Sequence, residues 1–468
     1  MLKKRSKKTY LNYYFVLLFV IIGIHLFLLS KLIFFPYQEL FTYPYFVNSG
    51  LLPYKQIWDQ HFPGLMFFPV NLATLGMTDE YSARFWAMLN VAFIQVLIFV
   101  VSRRIFKSDK NALFVNFVYL IWQPFFEGWV LWIDSFLPLF LLFSFYFSYH
   151  AFETKLNRSY LLSGLFLGAG IVLKQVVIPV AFLVGLVFLL ARQRKGFSYF
   201  ILGIIPFPLL MIFYFIKIDV FPDFWYWTVI YNLTTFSQFG KKYPDTPGLL
   251  RIVGVFGMSL FSLSFKKKRL VFWIFLFLLG GLASAYARFD FVHFQPVLPF
   301  LAIATVLSFQ SLPFKGLAAL IKGGYIAGSI LLLTTFYRGH LGNKVFFFDQ
   351  ETKKIAEEIR QMALPKERIF IYGSIPHLYQ MSDTLPVGDV YVQQFSWFFI
   401  VSEDQILRSL ETGRPRLVVA DRTVQVDNQF LVEYSKKINN FLWDNYVQVN
   451  KIGETEFLLR KDYYEDSN

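Results

Sequence analysis

A small set of charged side chains stands out from a chain that is mostly apolar: Glu39, Asp59, His61, Arg84, Glu127, Asp134, Lys174, Arg288, Asp290 and His293. All lie beside or between apolar runs, where an uncompensated charge is costly, so each is a candidate for chemistry. A carboxylate here can take the proton from an acceptor hydroxyl. Lys or Arg can stabilise a departing phosphate. The mixture fits transfer of a group carried on a lipid phosphate. Glu39, Asp59 and His61 share one stretch, residues 35–69, which is crowded with Pro, Gly, Tyr and Trp. Each candidate also has a plain structural reading. Asp59 and His61, two apart, can form a loop hydrogen bond. Glu39 can be a solvated helix-end acid. Lys174 can reach for the membrane interface, Arg84 can anchor a span, and Arg288 with Asp290 can pair with each other. Asp59-x-His61 and Asp290-x-x-His293 offer a divalent ion two ligands each, too few to define a site. No metal or other cofactor is expected, although a divalent ion would find those ligands.

The elements that position these residues are membrane helices. The 468 residues are 56% hydrophobic and only 16% charged, below the roughly 25% charged of a soluble domain. Several apolar runs reach the ~20 residues that cross a bilayer. A barrel would show ~10-residue alternating segments instead. The expected fold is an α-helical polytopic membrane protein. Cys is absent, which excludes disulfides, a Cys-ligated zinc and a thiol nucleophile. The net charge of +14 lies mostly in short loops beside apolar runs, which is a topology signal; no nucleic-acid partner is expected. The run 10–34 follows Lys3, Lys4, Arg5, Lys7 and Lys8. It is longer than a signal-peptide core and lacks a small-residue cleavage site, so it reads as an uncleaved first span.

Hydropathy and the bias of Lys and Arg give about eleven spans, with the N-terminus in the cytoplasm of an inner (plasma) membrane. Residues 35–69 then face outward, as do Lys174–Gln175 at a hairpin tip, the loop 217–248, and the segment with Arg288, Asp290 and His293. Residues 62–75 are apolar but short and bounded by Pro and Gly, which predicts a re-entrant or interfacial helix. Residues 1–336 form the membrane domain. Residues 337–468 read as a small extracytoplasmic α/β domain: a helix at 349–362, strands at 368–372 and 416–420, a helix at 428–443, and a hairpin of 446–452 and 456–460 around Gly453. No Gly-rich phosphate fingerprint follows its strands.

In its first loop the sequence resembles the GT-C class of polyprenyl-phosphate-dependent glycosyltransferases, close to the protein O-mannosyltransferase and aminoarabinose transferase group. The residues that carry this are Gly50-Leu51-Leu52-Pro53-Tyr54, then Asp59, His61 and Pro63-Gly64. The segment from Gly76 to Arg84 is similar to the family's entry into the next span. GIVLKQ, ending in Lys174-Gln175, resembles its Lys-bearing hairpin, and RFDFVHFQPVLP, from Arg288, resembles its late Arg-to-Pro segment. The resemblance covers roughly the first 310 residues, and order and sidedness carry it more than any one motif. It implies an inverting transfer from a sugar on a polyprenyl phosphate to a hydroxyl of a protein, glycan or lipid. It further implies a loop carboxylate as base and substrate or phosphate contacts from His61, Arg84, Lys174, Arg288, His293 and Tyr54. The family's early Asp-Glu pair is replaced by Gln38-Glu39, closer to Gly50 than in the family. The base is therefore Glu39 or Asp59.

Other classes make different demands. A secondary transporter would show internal repeats and helices broken at matching places; no repeat is visible, and the charges gather in outer loops. A flippase or polymer ligase would share the basic outer groups. A surface binding protein would concentrate specificity in residues 337–468.

Overall fold

The computed structural model describes residues 3–373 and 375–465. The side chains of residues 3–12 lie outside the described set, and with them the basic cluster expected to orient the first span. The chain divides into two compact units: Met1–Phe35 with Ala83–Met211 and Lys242–Lys344, and Pro36–Ser82 with Ile212–Lys241 and Val345–Asn468.

The first unit is helical, as the apolar runs predict. Among the described residues of the chain, eight helices have the length and apolarity to cross a membrane, beginning with Tyr13–Lys31 and Glu80–Phe106 and ending with Gly316–His340. The other three expected spans are shorter helices: Asp109–Gln123, Asn157–Leu173 and Gln175–Leu190. The 15 residues of Asp109–Gln123 rise about 22 Å, short of the ~30 Å hydrocarbon core. Phe291–Ser311 is 94% buried over its apolar stretch, whereas Gly316–His340 is only 6% buried.

Two devices pack these helices. The first is close backbone approach. A Cβ at Gly164 would stand 2.0 Å from the Phe200 carbonyl oxygen, and one at Gly203 would stand 2.1 Å from that of Leu161. Asn157–Leu173 and Arg194–Ile204 therefore meet backbone to backbone, as small residues permit in lipid. The second is a buried polar chain. His25 Nε2 pairs with Gln123 Oε1 at 2.9 Å and His25 Nδ1 with Gln95 Nε2 at 2.9 Å. Gln123 Nε2 donates to Gln295 Oε1 at 3.2 Å. Four apolar helical segments are tied by groups that find few other partners there.

In the second unit, residues 62–75 are turns and bends, not the expected interfacial helix. Pro63 and Pro69 withhold backbone donors, and Gly64 takes φ +51°, so no i→i+4 ladder forms. The helix of this stretch lies earlier, at Glu39–Asn48. After it Ile57–Trp58 pairs in parallel with Tyr391–Val392. The expected loop 217–248 is largely helical from Phe221 to Phe239.

The C-terminal part carries a five-stranded sheet in the order Tyr446–Ile452, Thr455–Arg460, Leu417–Ala420, Arg368–Tyr372, Leu385–Pro386. Arg368–Tyr372 and Leu417–Ala420 pair in parallel, and both are almost wholly buried, as unbroken apolar strands require. The hairpin turns at Gly453, with φ +57°. Gln350–Met362 is a helix capped by Asp349, whose side chain accepts from Thr352 N at 2.8 Å. The expected helix 428–443 is broken into Leu431–Tyr434 and Lys436–Asn445. At the break, the Ser435 hydroxyl donates to Leu431 O at 2.6 Å and meets Tyr372 Oη at 2.7 Å.

The glycine contacts give opposite expectations for one kind of substitution. Gly164→Ala forces two backbones apart and loses about 1–3 kcal/mol. Gly323→Ala, with nothing within 4 Å of the new Cβ, is neutral or gains up to about 1 kcal/mol. Thermal unfolding of both variants in detergent checks the contrast; equal effects would remove close packing as the reason for Gly164.

Candidate functional site

Asp59 is the hub of the polar cluster in the second unit. It directly follows Ile57–Trp58 and is 2% exposed. Its Oδ1 accepts the backbone N–H of His61 at 2.7 Å, the local turn that an Asp favours, and lies 2.8 Å from His61 Nδ1. Its Oδ2 accepts Tyr43 O–H at 2.8 Å. Burial, then the neighbouring Asp59 carboxylate, push the Tyr43 phenol well above its usual range, so it stays a donor. Tyr43 sits one turn after Glu39 on Glu39–Asn48. Burial raises the Glu39 carboxyl to about 6. A backbone hydrogen bond and one from Gln393 pull it down, Asp59 pushes it up, and His61 pulls it down. Tyr54, with φ +62°, is fully buried and donates its O–H to the His61 carbonyl at 2.8 Å. Asn232 Nδ2 donates to the Gln60 carbonyl at 2.8 Å. The backbone of this loop is thus held at both the Gln60 and the His61 carbonyls.

The hub of the first unit is Asp134, which is fully buried. It is ion-paired to Lys174 Nζ, accepts the Ser284 hydroxyl, and has its Oδ2 3.1 Å from His293 Nδ1. Lys174 is itself 4% exposed. Further along the same unit, Asp290 receives Lys242 Nζ at 2.7 Å and lies 3.5 Å from Arg288 Nε. Glu127, in a left-handed backbone conformation (φ +56°), accepts Val292 N–H at 2.9 Å. Burial, then Asp290, lift its carboxyl to about 7, against the pull of Val292 N–H, Arg251 and Lys242. Arg251 lies over Phe125 at 4.0 Å and Phe291 at 4.3 Å.

The residues singled out in the sequence therefore form two groups. Glu39, Tyr54, Asp59 and His61 belong to the first cluster, and Lys174 and His293 to the second. Arg288 joins Asp290. Arg84 lies apart from both: its Nη1 donates to Leu29 O at 3.1 Å, and its guanidinium lies 4.7 Å over the Phe34 ring, closing the end of the first helix. Tyr43, Gln393 and Ser284 were not anticipated. Tyr43 is legible once a helix starts at Glu39, because i and i+4 share a face. Gln393 and Ser284 carry no local signal. Among the described residues no group of three or more His, Cys, Asp or Glu side chains is placed to hold a metal ion.

Residues 61–216 match the family model described as dolichyl-phosphate-mannose-protein mannosyltransferase. The fold is similar to that of ArnT from Cupriavidus metallidurans. Against the crystal structure with bound undecaprenyl phosphate the TM-score is 0.60, at 12% identity, over 96% of this chain and 98% of that one. Against its apo structure the TM-score is 0.58, at 12% identity, over 97% and 98%. No curated protein sequence matches the chain. The resemblance to the GT-C glycosyltransferases is borne out. So is the fold, a polytopic helical membrane protein with a strand-bearing C-terminal region. The reading of the chain as a membrane enzyme of the glycosyltransferase kind is borne out with them.

Two outcomes follow from the clusters. Asp134→Asn strands the buried Lys174 charge and costs about 3–5 kcal/mol; the unfolding midpoint in detergent reads this, and an unchanged midpoint would refute the pairing. Glu39 has a folded pKa of about 6 against an ordinary 4.5. The stability linked to it is fully present below 4.5 and lost as pH rises through 6, by about 2 kcal/mol. Glu39→Gln lacks that dependence, so the stability gap between wild type and variant shifts between pH 4.5 and 7; a constant gap would contradict it.

Proposed function

We propose that this protein moves a sugar from a polyprenyl-phosphate donor to a hydroxyl on a glycan, lipid or protein acceptor at the outer face of the plasma membrane, with inversion. The observation that carries the reading is the family match, which begins at His61, inside the loop where Asp59 holds that histidine. The likeness in fold to a transferase crystallised with undecaprenyl phosphate supports the donor class. The N-terminus is cytoplasmic, residues 1–336 form the membrane domain, and residues 337–468 form an extracytoplasmic α/β domain.

Inversion needs one base and no covalent intermediate. The acceptor oxygen attacks C1 of the sugar, the C1–O bond to the lipid phosphate breaks, and the phosphate leaves with the electron pair. The base is Glu39 or Asp59, with His61 contacting substrate. Charge on the leaving phosphate is met by Arg288 and Lys242, whose present partner Asp290 is only partly buried. Lys174 and His293 answer to Asp134 and shape the membrane unit from within. Arg84 supports the first helix, and Tyr54 supports the His61 backbone. Each of these residue roles is part of the proposal.

The test is transfer in proteoliposomes from a panel of radiolabelled polyprenyl-phosphate sugars to a total cell-envelope extract. Wild type is expected to consume one donor and label one acceptor. Arg288→Ala should raise the donor KM about 10- to 100-fold, the value of a charge-assisted hydrogen bond. A wild type that consumes no donor while catalysing solute flux would replace this reading with transport.

A further inference from the structure

The C-terminal part holds a cleft of about 330 Å³, at the lower end of the roughly 300–1,000 Å³ of small-ligand sites. It lies where the ends of Ser396–Gly413, Lys436–Asn445 and Thr455–Arg460 meet. Three carboxylates, Glu411, Asp444 and Asp462, line it together with three cations, Arg414, Arg460 and Lys461, so their charges cancel. Phe441 and Tyr446 supply the apolar wall, with ring centroids 6.3 Å apart. The backbone around the cleft is satisfied by the cleft's own side chains. Arg460 Nη1 donates to the Arg414 carbonyl, Tyr446 O–H to the Pro415 carbonyl at 2.8 Å, and Lys461 Nζ to the Asp444 carbonyl at 2.7 Å. Arg414 itself takes φ +40°, a left-handed conformation that is uncommon for a long side chain. Other groups are left over. Among the described residues the carboxylates of Glu411 and Asp444 accept no hydrogen bond, and the Arg414 guanidinium donates only through Nε, to the Glu411 carbonyl at 3.4 Å.

The chemistry of these groups selects the ligand. A phosphate only accepts hydrogen bonds and would meet two bare carboxylates. An ammonium only donates and would meet Arg414. A peptide main chain seeks backbone partners, and the carbonyls of Arg414, Pro415 and Asp444 already have theirs. A sugar hydroxyl both donates and accepts. Neighbouring hydroxyls can therefore donate to the carboxylates and accept from the guanidinium, bonds that charge strengthens. The C–H face of a sugar ring can lie on Phe441, which is only partly buried. We infer that this cleft binds a neutral saccharide, held through its hydroxyls by Glu411, Asp444 and Arg414 and through a ring face by Phe441. The site shares no residue with the Asp59 and Asp134 clusters, and the inference goes beyond the transfer reading without resting on it.

The experiment uses the full-length protein in lipid nanodiscs, where no glycoside detergent competes, and reads binding by saturation-transfer NMR. The probes are the methyl glycosides of mannose, glucose and galactose, their neutral disaccharides, inorganic phosphate and the tripeptide trialanine. At least one neutral sugar should bind saturably, with a dissociation constant on the order of millimolar because the cleft is open to water. Saturation should fall mainly on one face of its ring. Glu411→Ala and Asp444→Ala, both at exposed positions, should each weaken binding about 10- to 100-fold and leave the unfolding midpoint unchanged. Glu411→Gln, which keeps a hydrogen-bond acceptor, should lose less than Glu411→Ala. The inference is overturned if no sugar of the panel binds. It is overturned equally if sugar binding survives in the Glu411→Ala, Asp444→Ala double variant, which puts the sugar elsewhere on the protein. Displacement of the sugar by phosphate or by trialanine would assign the cleft to an anion or a peptide instead. No polyprenyl donor enters these measurements, so the failure of this inference and the failure of the transfer reading are told apart.

Discussion

A carboxylate taken out of water must gather donors from wherever the chain can deliver them, or its burial costs several kcal/mol. Both units are arranged around that constraint. Asp59 collects its donors cheaply: one from the backbone two residues on, one from the same histidine's ring, and one from a helix sixteen residues upstream. Asp134 collects from Lys174, between two helices, and from Ser284 and His293 on two other segments. Its environment exists only once those segments are packed. The glycine contact of Gly164 with Phe200 and the polar chain from His25 to Gln295 help to bring the helices of that unit together.

The two hubs differ in what they leave available. In the first unit Lys174 and Asp134 neutralise each other inside a dry surrounding. Moving Lys174 to a phosphate would leave Asp134 charged with only Ser284 and His293, a loss that a buried site can seldom recover. Lys242 and Arg288 sit around a more open carboxylate. Their shared partner Asp290 is a quarter exposed, and Lys242 about half, so water can replace either contact. The contrast lies in burial: the Lys174–Asp134 pair is enclosed, the Lys242–Asp290 pair is partly open.

What the sequence reveals follows the range of the forces involved. Eight of the about eleven expected spans are found at full length and the others as shorter helices; the tail strands expected at 368–372 and 416–420 and the turn at Gly453 are found as well, because all depend on composition and local backbone preference. Residues 62–75 are apolar enough for a helix, but their prolines and the left-handed Gly64 decide otherwise. The break at Ser435 depends on the hydroxyl of Tyr372, sixty-three residues away, and no local pattern announces it. Asp59 and His61 are legible as a pair because their bond is local. Gln393 as a partner of Glu39 is not, because only the folded second unit brings it near.

That same distinction explains why two acids so close together are not interchangeable. Glu39 has its carboxyl lifted by burial and by the charge on Asp59, with a glutamine as its side-chain partner. Asp59 instead accepts hydrogen bonds from the Tyr43 hydroxyl and the His61 backbone N–H. Two neighbouring carboxylates cannot both be charged without cost, and the fold resolves the conflict by giving one of them the donors.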